Sequence, residues 1–161
     1  MSAEHEEHIH LLTCIDRLNS AWATLKTIEE QAGNPLIGPA FRYAIVEYAT
    51  SFNNSEGLIK KKRKLNKDCV PQEYLQLHKR ILDSRDQIHA HADLTKLDAK
   101  LSIYRIDSKQ YVSRVQNKIS GCEELANILQ IIQLIEGTLE NLYSKRDTAE
   151  FNLSMLCITR F

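Results

Sequence analysis

Arg85 and His91 lie in the stretch Ser84-Arg85-Asp86-Gln87-Ile88-His89-Ala90-His91-Ala92-Asp93, which sets a permanent cation close to a base that titrates near neutrality. A guanidinium holds anions and an imidazole moves protons, so the pair could bind a charged group and act on it as acid or base. On an unbroken helix the two side chains would stand about 120° apart. Long side chains, a helix end near Ala90 or a second subunit must therefore bring them together. The imidazoles and carboxylate of His89-Ala90-His91-Ala92-Asp93 are also groups that hold transition ions. His89 and His91 diverge by about 200° on a helix, however, and no metal site is expected there. His5, His8 and His10, beside Glu4, Glu6 and Glu7, read as a frayed polar N-terminus.

The second chemical feature is a basic run just upstream. Lys60, Lys61, Lys62, Arg63 and Lys64 can neutralise several phosphates and give RNA a salt-sensitive, sequence-blind affinity. They are the expected RNA contacts, with His89 added from the helix. The run has no interleaved aromatic on which bases could stack, and a solvated loop is the competing reading.

These groups need a scaffold. At 161 residues with 43% hydrophobic content, the chain can bury one sizeable core, and a single domain over 1–161 is expected. Lys and Arg equal Asp and Glu at 21 each, so overall charge draws the chain to no polyanion, and any such affinity comes from local clustering. Cys14, Cys69, Cys122 and Cys157 show no paired spacing of a zinc or redox motif, and no secretory segment is evident. Reduced thiols in a cytoplasmic protein are expected, with no cofactor. No apolar stretch approaches the roughly 20 residues of a membrane span.

Leu11, Ile15, Leu18, Trp22 and Leu25 repeat at helical spacing and predict a helix from about residue 4 to 31. Gly33-Asn34-Pro35 and Gly38-Pro39 break it, and Phe41, Ala44, Ile45 and Tyr48 stripe a second helix ending near Ser51. Residues 52 to 70 read as a long exposed connection. After Pro71 a third helix carries Tyr74, Leu77, Ile81 and Ile88 on one face, with His78, Leu82, Arg85 and His89 beside it. Leu101-Ser102-Ile103-Tyr104 is compatible with extended or helical structure. Asp107 or Ser108 is expected to cap a helix striped by Val112, Val115 and Ile119. Ser120-Gly121-Cys122-Glu123 has the capping-box pattern. The strongest helix comes after it, with Leu125, Ile128, Ile132, Ile135, Leu139 and Leu142 in register through about residue 147. No convincing alternating strand competes, and the expected fold is all-α, an up-and-down bundle of four to five helices.

Arg85-Asp86 followed by His91, on the third helix of such a chain, resembles the motif of the HEPN superfamily: an Arg, a polar residue, and a His a few residues beyond. The stretch from His78-Lys79-Arg80-Ile81-Leu82 through His91-Ala92-Asp93-Leu94 is similar to short bacterial HEPN-like proteins of abortive-infection type. The resemblance implies a metal-independent ribonuclease acting as a homodimer, in a toxin or phage-defence role, with two motifs facing one cleft. His91 would then take or donate the proton at the ribose 2′-hydroxyl or the leaving oxygen, Arg85 would clamp the scissile phosphate, and Asp86 would orient them. Two-fold symmetry would also let Arg85 of one protomer work with His91 of the other. An antitoxin or other regulatory protein is the partner such a role implies. Asp93 stands where members governed by a partner nucleotidyltransferase often carry Tyr. The same resemblance also covers non-catalytic modules that bind nucleotides or protein partners, and these are the alternative reading.

Overall fold

The computed structural model describes residues 3–31, 33–57, 62–85, 100–115 and 121–158. The first helix, α1 (Ala3–Glu30), buries Cys14, Ile15, Leu18, Ala21, Leu25 and Ile28, close to the stripe that its spacing predicts. Gly33 turns the chain at φ +91°, a backbone region that favours glycine. Asn34 then accepts a 2.9 Å bond from the Leu36 N–H through its side chain and a 3.1 Å bond from the Ile37 N–H through its carbonyl. That local turn starts α2 (Ile37–Phe52), with Pro39 in its first turn, where a missing N–H costs nothing. The two helices pack antiparallel: Cys14 lies against the Ser51 carbonyl, and Arg17 pairs with Glu47 at 3.2 Å.

The connection after α2 differs from the exposed loop expected over residues 52 to 70. β1 (Ser55–Glu56) and β2 (Lys62–Arg63) form a short antiparallel ribbon. Leu65, Cys69 and Val70 are buried, and Leu65 is tied by its N–H to the Ser51 carbonyl at 3.0 Å. Single apolar anchors among charged residues carry no period, so the sequence pattern hides them. A 3-10 turn over Gln72–Tyr74 leads into α3 (Leu75–Ser84), which buries Leu77, His78 and Ile81.

The all-α expectation is corrected beyond α3. β3 (Lys100–Ile106) and β4 (Lys109–Val115) form an antiparallel hairpin, so Val112 and Val115 lie on a strand rather than on a helix, and Ile119 lies outside the described residues. Asp107 and Ser108, at φ 48° and 67°, form its two-residue tip and cap no helix. Both central residues have positive φ, as in the turns that match the twist of paired strands. The last helix, α4 (Ile128–Ile158), starts later than the Ser120 to Glu123 pattern suggests and runs past residue 147. Of that pattern Ser120 lies outside the described residues. A turn and a 3-10 segment over Leu125–Asn127 come first. Here Glu124 is the anchoring carboxylate. It accepts from Arg80 Nε at 2.7 Å and from Asn127 at 2.7 Å, and the Arg80 bond holds its carboxyl below the usual range.

α4 lies antiparallel to α1, through Trp22 to Glu136 (2.8 Å) and Asn19 to Tyr143 (3.0 Å). Its Ile131, Leu134, Ile135 and Leu142 meet Leu18, Leu25, Tyr48 and Ile81 in one core. Most of the described chain is helical, and no described helix is long and apolar enough to cross a membrane.

One buried polar contact fixes α3 to α2. The Tyr48 hydroxyl and His78 Nδ1 share a 2.7 Å hydrogen bond, and the imidazole stands edge-on to Phe52 at 4.5 Å. Burial lowers the pKa of His78 and raises that of Tyr48, so both are neutral in the fold. An unfolded His takes up a proton below about pH 6.5 that folded His78 resists. Stability is therefore full above that pH and declines as pH falls through the window beneath it. His10, lowered chiefly by burial and then by Arg63, acts in the same direction. Thermal melts should fall from pH 7 to pH 5, and His78→Gln, which keeps a polar partner for Tyr48, should flatten that decline. An equal slope in the variant would remove His78 as its source.

Candidate functional site

Arg85 is the member of the Arg85, Asp86, His91 motif that falls among the described residues. Asp86, His89 and His91 lie outside them. α3 forms because Leu77, His78 and Ile81 recur at helical spacing, and burying that face fixes the backbone that presents Arg85. Arg85 keeps helical angles (φ −59°, ψ −48°), and its N–H bonds to the carbonyls of both Ile81 and Leu82. Its side chain is half-buried. A guanidinium at this point departs from a rigid element, so its position is set by the core rather than by a loop.

The basic run is divided by the fold. Lys60 and Lys61 lie outside the described residues, and Lys62 is exposed on β2. Arg63 turns inward: its Nη2 lies 3.4 Å from Glu6 Oε2 and donates to the Ala3 carbonyl at 3.2 Å, and its Nη1 is 3.8 Å from Glu7. Lys64 is exposed at the rim of a cavity. These three neighbours in sequence therefore have three different surroundings.

That cavity, about 570 Å³, lies where α1, the segment after β2 and α4 meet. Leu11, Leu65 and Leu142 give it apolar walls, while His8, His10, Lys64 and Lys145 add polar groups of mixed character to Glu4 and Glu7. The expected frayed N-terminus is helix here, fastened by Arg63 to buried Glu6. In the sequence the N-terminal histidines and the basic run are separate features. Their meeting depends on residues some 57 positions apart, and no local signal reports it.

His10 Nε2 lies 3.7 Å from Cys14 Sγ, a pairing that in an enzyme can generate a thiolate nucleophile. Here the shifts oppose it. Burial, only partly offset by the Ser51 side chain and Arg17, pushes the Cys14 thiol up to about 11, and burial lowers His10, so neither charged form is favoured. Among the described residues no group of three His, Cys, Asp or Glu side chains is placed to hold a metal ion. The His89 to Asp93 cluster lies outside them.

The hairpin is the feature that sequence reading missed. Tyr104 and Tyr111 stack across it at 5.7 Å with their planes 15° apart, and Arg105, Lys109 and Arg114 are exposed on the same hairpin. Aromatic and β-branched residues at 103, 104, 111 and 112 were the available signal. No family model matches this chain, and neither does any curated protein or solved structure.

Proposed function

We propose that this chain is an HEPN-like, metal-independent ribonuclease that acts as a homodimer. Arg85 clamps the scissile phosphate, His91 moves the proton between the ribose 2′-hydroxyl and the leaving oxygen, and Asp86 orients them. The observation that carries this reading is the placement of Arg85 at the C-terminal cap of α3, a helix locked into the core by Leu77, Ile81 and the Tyr48–His78 bond, immediately before Asp86 and six residues before His91 in the chain. A cation on a core-anchored helix can stabilise charge that builds on a phosphate without first reorganising. Such an activity suits a cytoplasmic toxin or phage-defence protein held in check by an antitoxin or other regulatory protein.

Cleavage of a mixed RNA pool in EDTA tests the reading. His91→Ala should lower the rate by about 10²- to 10⁴-fold, the usual loss with a general acid or base. Arg85→Ala should lower it by about 10²- to 10³-fold, as loss of a preorganised charge-stabilising donor does. Both variants should melt like the parent. A folded wild-type dimer that cuts nothing would overturn it. The second reading, a non-catalytic module that binds a nucleotide or a partner, is favoured by the 570 Å³ cavity between α1 and α4, whose mixture of apolar, imidazole and ammonium groups is the kind that holds a small charged ligand.

A further inference from the structure

The β3–β4 hairpin is exposed on both faces. Its register puts Leu101, Ile103 and Arg105 on one face with Val112 and Arg114, and Tyr104 and Ile106 on the other with Lys109 and Tyr111. Leu101 is 74% exposed, Ile103 and Val112 each 63%, and the stacked Tyr104 and Tyr111 46% and 41%. A ribbon that is two-stranded among the described residues is marginal in water by itself, and apolar side chains left exposed together mark a binding surface.

Charge narrows what that surface takes. Lys100, Arg105, Lys109 and Arg114 stand against a single acid, Asp107, in a chain whose formal net charge is zero. Ribbon-on-ribbon pairing between two copies would bring like charges together on either face, Arg105 and Arg114 on one and Lys109 on the other, at a cost. A protein surface laid on one face would leave the other wet. A flexible polyanion can touch both faces at once. Phosphates meet the cations, while the tyrosine rings offer planes on which unpaired bases stack. Duplex RNA keeps its base faces stacked inside, and its deep, narrow major groove does not admit side chains for readout.

We therefore propose that the β3–β4 ribbon is an arm on which this protein holds single-stranded RNA, with Tyr104 and Tyr111 stacking bases and Arg105, Lys109 and Arg114 contacting phosphates. The proposal rests on the reading of the chain as RNA-directed and adds a second contact region to the Arg85 site.

Binding of a fluorescent single strand of about 16 nucleotides, within the range one protein module covers, would be followed by anisotropy on the full chain carrying His91→Ala, so that cleavage does not intervene. Changing Arg105, Lys109 and Arg114 together to Gln should reduce the slope of log affinity against log salt by about 2, or about 0.7 for each phosphate no longer neutralised. Tyr104→Thr with Tyr111→Thr, which keeps strand-forming residues, should weaken binding by about 10-fold or more with the salt slope unchanged. A duplex of the same length should bind more weakly than the strand. Unchanged affinity and slope in both variants would overturn the arm, as would a duplex that binds equally well. A shift from dimer to monomer with RNA binding intact would also overturn it and make the ribbon an association surface. Cleavage by the otherwise native protein separates the two proposals: activity with ribbon-independent binding sinks the arm alone, and ribbon-dependent binding without activity sinks the nuclease alone.

Discussion

Arg63→Ala is expected to cost about 3 kcal/mol, the low end of the destabilisation caused by removing one partner of a buried ion pair. Glu6 is 5% exposed at the start of α1, and the Arg63 side chain facing it is 13% exposed. Truncation takes a cation away from a carboxylate that water barely reaches. It also removes the bond to the Ala3 carbonyl, and with it the tie between β2 and the first turn of α1. Glu7, being mostly exposed, adds little, which places the cost at the low end. In a chain of this size the loss should lower Tm by about 6–12 °C. Lys62→Ala, one residue away but exposed, should stay within about 0.5 kcal/mol. Urea melts of both, with Glu6→Gln added to the Arg63 variant, check the cause: removing the buried charge that Arg63 faced should recover part of the loss. A fall below about 1 kcal/mol would class the pair with ordinary surface bridges. Any RNA-binding defect in an Arg63 variant therefore has to be read alongside its folding.

Gly137 gives the second large effect. It sits within α4, where a glycine ordinarily costs about 1 kcal/mol relative to alanine. A Cβ there would lie 2.6 Å from Cγ of Pro71, against about 3.5–4.0 Å for an ordinary carbon contact. The proline ring cannot rotate away, so the backbone ahead of α3 must move. Overpacking of this kind costs about 1–3 kcal/mol. Gly137→Ala should thus lose its expected gain and come out neutral to destabilising by about 2 kcal/mol, and Gly137→Leu should lose about 3 kcal/mol. Pro71 leads into the 3-10 turn and α3, so the displacement should reach Arg85 and lower the RNA cleavage proposed for it more than the stability loss alone explains. Adding Pro71→Ala to Gly137→Ala should restore stability. Failure to do so would show that the ring is not what keeps residue 137 small.

The parts of the fold that could be read from sequence are those that bury one side. α1, α2 and α4 each set a stripe against the core, and Leu18, Ile45 and Ile135 lie in the core as their spacing predicts. The hairpin could not be read that way because both faces meet solvent. Without a buried side there is no alternation for residues 100 to 115 to display, and Val112 and Val115, three apart, imitate a helical stripe. Leu65, Cys69 and Val70 are hidden for a related reason: they join the core from a segment in which apolar residues do not recur at a fixed spacing. For the candidate site, α3 as the platform for Arg85 is legible from Leu77 and Ile81. The inward turn of Arg63 is not, since a cation beside four lysines looks like one more solvated charge until Glu6 is brought to it from α1.

The Asp107–Ser108 tip keys the hairpin like a ratchet with a single tooth. Only these two of the described non-glycine residues adopt positive φ, so Ile106 and Lys109 are the positions that the reversal can join. A slip by one residue would move the bend onto neighbours that resist such angles, and would carry the members of each pair to opposite sides. Tyr104 would then lose Tyr111, and Ile103 would lose Val112. Two exposed residues at a tip thus decide which side chains share a face, and give a strip of chain with no buried side a fixed front and back.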